Sequence, residues 1–296
     1  MAFQKIFILG AGAVGSCYGA LLSGANDVTL IGRLPHVDAI RSGGLVLDGD
    51  IKGRFHLKAE SSISDIPAGS LILLTMKAQD AGKACEALRP MLRGDTVLLA
   101  LQNGLGIKEL VQRAIAGKAR VARGLVLMAA EFFEPGKITY WRGPTILEKT
   151  EIGMEIQALF EGSGLQTEVA SDIRAQEWNK LVINCIVNPI SAILRVRDHE
   201  AAAPALSGTR HAIIRECASV AEAEGVHLDG RLEEDMELRI KSYRNYSSMY
   251  QDMAKGKATE IGFLNAKIVE LGREHGIDAP VNGALTELIR FMEAKR

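Results

Sequence analysis

The feature that most restricts what this chain can fold into lies at its start. Ile6-Phe7-Ile8-Leu9 is a short apolar run of strand character, and Gly10-Ala11-Gly12-Ala13-Val14-Gly15 follows it directly, opening a stretch with helical character from Gly15 to Ser23. A GxGxxG spacing set between a strand and a helix is what a dinucleotide-binding turn requires. Gly10 permits the tight turn, Gly12 lets the main chain approach a pyrophosphate, and Gly15 lets helix and strand pack closely. Ala11, Ala13 and Val14 complete the turn, and the helix start offers N–H groups and positive potential to a phosphate. The letters alone also occur in glycine-rich loops without a ligand; the flanking strand and helix point to a dinucleotide.

Which dinucleotide is decided further on. A site for NAD usually carries Asp or Glu about 20 residues later, at the end of the second strand, to hold the ribose 2′-hydroxyl. Here that strand ends Leu30-Ile31-Gly32-Arg33. Gly32 stands where a carboxylate would repel a 2′-phosphate, and Arg33 offers a guanidinium fork to that phosphate, so NADP(H) is favoured. The plainer reading of Arg33 is a solvated turn arginine ahead of Leu34-Pro35.

Further apolar runs without alternation, Val28 to Ile31, Leu71 to Met76 and Val97 to Leu101, read as parallel strands covered on both faces, with helical segments between them such as Lys83 to Leu92. The order is that of a doubly wound α/β sheet of Rossmann type. From about Arg120 longer alternating runs, with a turn at Glu134-Pro135-Gly136, suggest antiparallel strands at Lys137 to Trp141 and Thr145 to Leu147 closing one edge. A helix at Ile152 to Gly162 and a strand at Gln166 to Val169 end this part. After Ser171 helical periodicity takes over, through Asp172 to Leu194, Leu206 to Glu224, Glu233 to Lys241, Glu260 to His275 and Gly283 to Ala294. The expected division is a nucleotide-binding domain over 1–171 and an all-helical domain over 172–296. A chain of 296 residues exceeds the size of most single cores, which agrees.

Composition removes several function classes. A net charge of −1, with Lys and Arg spread along the chain, provides no field to gather nucleic acid or an anionic membrane. No stretch approaches the roughly 18 apolar residues of a membrane span, and the N-terminus lacks the pattern of a signal peptide. Cys17, Cys85, Cys185 and Cys217 lie far apart without CxxC or metal-ligand spacing, as in a cytoplasmic protein with reduced thiols, and no metal is expected.

Polar residues with chemical potential gather in four places. Lys77 and Asn103 follow the third and fourth strand runs, where ligands of open parallel sheets bind. Lys180, Asn184 and Asn188 recur every four residues on a mostly apolar helix, so they form one polar stripe on a surface that would otherwise be buried. A buried ammonium without a partner is costly, which directs the stripe toward a cavity or ligand; snorkelling of the lysine and backbone bonding by the asparagines are the alternatives. Pro189 removes a helix N–H and frees a carbonyl where the stripe ends. Ser247 and Ser248 have hydroxyl and N–H groups suited to an anion, and Thr259 and Glu260 open a further helix, where a carboxylate is favourable on dipole grounds alone.

Taken in order, the N-terminal GAGAVG, the Lys77 loop, Leu101-Gln102-Asn103-Gly104-Leu105-Gly106, the K-x3-N-x3-N-P helix and the Ser247-Ser248-Met249 to Thr259-Glu260-Ile261 segment resemble the ketopantoate reductases over essentially the whole chain. The resemblance implies NADPH-dependent reduction of 2-dehydropantoate to pantoate, in pantothenate synthesis. It implies that Lys180 donates the proton to the substrate carbonyl, and that Asn184, Asn188 and Ser248, with Ser247 beside it, bind the substrate. Lys77 and Asn103 resemble residues near the nicotinamide ribose and the substrate. Glu260 resembles a glutamate where cofactor and substrate meet, and is counted with Lys180 in catalysis. A homodimer through the helical domain is implied by resemblance only. The sequence departs from the family at Arg195, Arg197 and Asp198, where small or amide residues are common, and in the stretch Gly262-Phe263-Leu264-Asn265-Ala266, where an Asp and a Gly are common. These departures leave open a reductase of another small 2-oxo acid. A non-catalytic NADP-binding sensor is the reading from a different class, against which Lys180 and Glu260 weigh.

Overall fold

The unbroken apolar runs at 6–9, 28–31, 71–76 and 97–101 do meet in one sheet. The computed structural model describes residues 3–228 and 232–295. Twelve strands are found among these: β1 (Lys5–Leu9), β2 (Val28–Ile31), β3 (Leu45–Gly49), β4 (Gly53–Phe55), β5 (Lys58–Glu60), β6 (Ser70–Leu74), β7 (Val97–Ala100), β8 (Arg120–Val126), β9 (Ala129–Glu134), β10 (Lys137–Trp141), β11 (Thr145–Glu148) and β12 (Thr167–Ala170). Eight of them form a sheet in the order β12-β11-β8-β7-β6-β1-β2-β5. The six strands from β5 to β8 run parallel, β11 is antiparallel to β8, and β12 is parallel to β11. Every residue of β2, β6 and β7 is buried, as unbroken apolar runs require of strands covered on both faces.

The chain runs outward from β1 through β2 and then returns to β6 on the other side of β1, so the order reverses between β1 and β6. Ligands of such sheets bind at that reversal. Helix α1 (Ala13–Leu22) fits beside it because its residues are small: Gly15, Ser16, Cys17, Gly19 and Ala20 are all buried, and a Cβ on Gly19 would lie 2.8 Å from the Leu30 side chain. Helices α2 (Leu34–Gly43), α3 (Ala78–Leu88), α4 (Ile107–Ile115) and α5 (Glu151–Gly162) complete this part.

One expectation is corrected here. The run at Lys137 to Trp141 does not close the edge of the large sheet; as β10 it joins a second sheet, β4-β3-β10-β9. The reason is its partner: β10 pairs in parallel with β3, Ile138 opposite Leu47, and antiparallel with β9. This second sheet packs on α1, which therefore touches strands on two sides.

The helical part comprises α6 (Ile173–Leu194), α7 (Ser207–Ala223), α8 (Leu232–Ser242), α9 (Ser248–Ala254), α10 (Asn265–Glu274) and α11 (Pro280–Ala294). The expected helix from Glu260 to His275 is two pieces, a short 3-10 turn at Ile261–Phe263 and then α10, because Leu264 leaves helical geometry with φ −114° and ψ −110°. Contacts gather the chain into two compact units, Met1–Gln102 with Gly106–Ile173, and Asn103–Leu105 with Arg174–Arg296. Each has its own apolar core. No helix among the described residues is long and apolar enough to cross a membrane.

His36 ties three elements of the sheet unit together. Gly136 N–H donates to His36 Nδ1 at 2.9 Å, so the ring proton sits on Nε2, which faces Ser16 Oγ of α1 at 2.9 Å. The imidazole is buried against Phe132, and burial pushes its pKa down to about 4. In the unfolded chain the ring titrates near 6.5, so below that pH the unfolded state takes up a proton that the folded state refuses until about 4. Stability from this residue is complete above pH 6.5 and lost as the pH falls toward 4. Urea unfolding at pH 7.5 and pH 5 should show wild type losing about 2 kcal/mol more than His36→Gln. Equal losses would mean that the ring is not held neutral.

Candidate active site

At the strand-order reversal, the turn after β1 and the turn after β6 occupy nearly the same space. Gly10 has φ +112°, and a Cβ there would lie 2.3 Å from the Met76 backbone nitrogen. A Cβ on Gly15 would lie 2.4 Å from the Gly10 carbonyl oxygen and 2.6 Å from Thr75 Oγ1. Both glycines are therefore required by the protein's own packing. Gly12 is different: it is exposed, and the nearest atom to a Cβ would be 4.0 Å away. Nothing packed against it demands glycine there; glycine is an acceptable helix N-cap that also leaves the main chain open to close approach. Gly12 also caps α1 without a side-chain hydrogen bond, and the first turn of α1 holds no acidic residue. The N–H groups of Ala13 and Val14 thus start a helix that is electrostatically ready for an anion. Thr75, which the sequence did not single out, fastens the turn: its Oγ1 donates to the Gly10 carbonyl at 2.9 Å.

The end of β2 lies beside this turn. A Cβ on Gly32 would meet the Ala11 Cβ at 2.7 Å, so a carboxylate side chain at position 32 is excluded by sterics as well as missing by sequence. Arg33 is exposed at the start of α2 and, among the described residues, its side chain makes no ion pair or hydrogen bond. Lys77 is half-buried and starts α3 in extended geometry. The groups that fit a dinucleotide are thus an open cradle at Gly12, an uncapped helix start and an unengaged guanidinium.

In the helical unit, the structure brings two of the expected residues together. Asn103 Nδ2 donates to Glu260 Oε2 at 3.3 Å, and Glu260 is only 6% exposed. Gly104, at φ +99°, makes this possible, since a Cβ there would lie 2.7 Å from the Phe263 carbonyl oxygen. Lys180 and Asn184 are half-buried and Asn188 is buried on α6, spaced one turn apart. Among the described residues, the side-chain amides of Asn184 and Asn188 and the hydroxyl of Ser248 bond no other protein group. Three neutral donors are therefore held unspent. Ser247 is spent: it is 2% exposed, its Oγ accepts the Tyr250 N–H as the cap of α9, and Ser191 of α6 donates to it at 2.6 Å.

Pro189 has the consequence its chemistry dictates. The carbonyl it leaves without an intrahelical N–H is that of Cys185, and Asn265 Nδ2 fills it at 2.9 Å. The same amide reaches Asn282 Oδ1 at 2.9 Å, and Asn282 in turn donates to Glu216. Glu216 also takes the N–H groups of Val281 and Asn282, capping the start of α11. Cys185 itself is fully buried beside Cys217, and burial pushes its thiol well above its ordinary range.

Of the residues that depart from the resembled pattern, Arg197 and Asp198 bond the segment 244–246 that precedes Ser247. Arg195 closes α6 in left-handed geometry at φ 59°, with the next N–H returning to the Ser191 carbonyl. Arg197 donates to the Arg244 carbonyl and lies over the Tyr246 ring at 4.7 Å, while Asp198 Oδ2 accepts from Asn245 at 2.8 Å. Among the described residues, no three His, Cys, Asp or Glu side chains cluster as a metal site.

A reversal-point glycine turn on a doubly wound sheet, with a lysine–asparagine helix in the unit that follows, defines an oxidoreductase that uses a nicotinamide dinucleotide. Sequence profiles described as ketopantoate reductase PanE/ApbA and as its C-terminal part match residues 6–153 and 172–293, and the chain belongs to the ketopantoate reductase family. It is 35% identical to the 2-dehydropantoate 2-reductase of Pyrococcus horikoshii over 98% of each chain, and 31% identical to that of Archaeoglobus fulgidus over 99% of each. The crystal structure of a PanE/ApbA family ketopantoate reductase from Ralstonia eutropha is similar with a TM-score of 0.91 and 33% identity, covering 98% of this chain and 99% of that one. D-mandelate dehydrogenase, solved with NADH and anilino(oxo)acetate, is similar with a TM-score of 0.87 and 27% identity over 98% and 99%.

Asn265→Leu should destabilise the protein by about 2 to 4 kcal/mol, since it orphans the Cys185 carbonyl and Asn282 Oδ1 together. The loss should be smaller when Pro189→Ala restores the missing N–H. Thermal unfolding of the two single variants and the double variant measures this, and strictly additive effects would refute the coupling.

Proposed function

We propose that the protein reduces 2-dehydropantoate to pantoate with NADPH, as a step of pantothenate biosynthesis. The observation that carries this reading is the unspent set of donors, Asn184, Asn188 and Ser248, on the helical elements that also present Lys180. A small acid with a carboxylate and hydroxyl needs several neutral donors, and these can orient it without the desolvation of a second cation. Ser247 contributes indirectly, by fixing the start of α9.

A reduced nicotinamide dinucleotide supplies the hydride when bound. Gly10 to Gly15 shape the turn for its pyrophosphate, with Gly12 giving access and the N–H groups of Ala13 and Val14 offering positive potential. Arg33 takes the 2′-phosphate with its guanidinium fork, and Gly32 keeps a carboxylate away from it. D-mandelate dehydrogenase was solved with NADH, so cofactor choice in this chain rests on Gly32 and Arg33. As negative charge grows on the ketone oxygen, the Lys180 ammonium stabilises it and passes a proton to that oxygen. Asn103 and Glu260 act as a hydrogen-bonded pair, the carboxylate lending its charge to the nicotinamide side and the amide fixing its direction. Lys77 serves the nicotinamide ribose.

Lys180→Ala should lower kcat by about two orders of magnitude or more while the Kd for NADPH changes little. Parallel loss of nucleotide binding would make Lys180 a structural residue. Arg33→Ala should raise the KM for NADPH far more than that for NADH, by roughly tenfold for one lost charge-assisted contact. Steady-state kinetics with both nucleotides decides this, and an unchanged preference removes the 2′-phosphate assignment. Tight NADPH binding without turnover of 2-dehydropantoate or any of a panel of 2-oxo acids would favour a sensor.

A further inference from the structure

Arg123 presents an unusual demand within the sheet unit. It lies inside β8, opposite Ala100 on β7, where an apolar side chain would serve the sheet equally well, yet it is an arginine only 1% exposed. A guanidinium removed from water requires acceptors for its donors. Glu148 of β11 accepts the Arg123 backbone N–H at 3.3 Å and pairs with Lys108 at 2.6 Å. The acceptors of the guanidinium are main-chain carbonyls of β8 and of the segment where β7 leaves the sheet. Nη1 donates to Ala100 at 2.9 Å and Gly124 at 2.7 Å, and Nη2 donates to Gln102 at 2.9 Å.

Gln102 is held from its other side as well. Its buried side-chain amide donates to Met76 Sδ at 3.1 Å, and the Met76 backbone is the surface against which Gly10 packs. The residue that follows Gln102 is Asn103, whose amide meets Glu260. A planar fork spanning two carbonyls two residues apart fixes both the direction and the twist of the chain as it departs from β7. A lysine ammonium, a single point of charge on a flexible stem, cannot hold both in that geometry.

We propose that Arg123 is a positioning residue for the reaction, acting through Gln102 to fix the direction in which Asn103 leaves β7. This rests on the reading that Asn103 and Glu260 work together at the reacting centre. Arg123 touches neither substrate nor cofactor; its effect belongs in kcat, where orientation matters most, with little change in binding.

The test uses the full-length enzyme with Arg123→Lys and Arg123→Met, the second preserving the buried stem if the first misfolds. Hydrogen exchange of the amides at 102–104 should accelerate relative to those of β7, kcat should fall roughly tenfold or more, and the KM for 2-dehydropantoate and the Kd for NADPH should stay within about threefold. In an Asn103→Ala background, Arg123→Lys should bring no further loss of kcat. Unchanged exchange at 102–104 overturns the clamp itself, and so does loss of kcat that merely follows loss of folded protein. Faster exchange with full multiplication of the two kinetic losses overturns action through Asn103. If Asn103→Ala leaves kcat intact, the role assigned to Asn103 fails, and the functional half of the proposal fails with it while the exchange result still judges the clamp.

Discussion

Everything at the carboxyl edge of the large sheet depends on two turns sharing one place. The backbone at Thr75 and Met76 passes so close to Gly10, and α1 so close behind, that any side chain on Gly10 or Gly15 would overlap main-chain atoms. Glycine makes this contact sterically available, and the Thr75 hydroxyl makes it directional by bonding the Gly10 carbonyl. The exposed Gly12 then stands at the tip of a turn held by close main-chain contacts and by the Thr75 hydroxyl.

The helical unit solves a different problem, that of holding polar side chains inside an apolar core. It separates the polar groups into those that are satisfied internally and those that are not. Asn265 Nδ2, Asn282 and Glu216 bond one another, a helix start and the carbonyl orphaned by Pro189, which offsets most of their desolvation, while the buried Asn265 Oδ1 has no partner among the described residues. Ser191 and Ser247 satisfy each other and a helix cap. Among the described residues the side chains of Asn184, Asn188 and Ser248 have no protein partners, which sets them apart from these bonded groups.

How much of this was legible beforehand follows from the range of each interaction. The glycine turn was readable because each of its requirements is local, a strand before it, a helix after it and a fixed spacing. The Lys180 stripe was readable because helical periodicity puts residues four apart on one face. Pro189 announced a free carbonyl, yet nothing near it said that Asn265, eighty positions along the chain from Cys185, would fill it. Thr75 and Arg123 were invisible for the same reason, since they serve main-chain carbonyls and those carry no letter in a sequence. The second sheet was missed because β10 takes its parallel partner from β3, far back in the chain, and the period alone cannot choose between two sheets. The helix expected from Glu260 kept its periodicity through Leu264 while its backbone did not.

The bond from Ser191 to Ser247 joins positions 56 residues apart. Because the last turn of α6 and the first turn of α9 are stapled there, the loops that connect the intervening helices can drift in length and composition over evolutionary time without disturbing the relation of Ser248 to the stripe on α6. An arrangement of side chains built in this way can be inherited intact while the surface around it is rewritten.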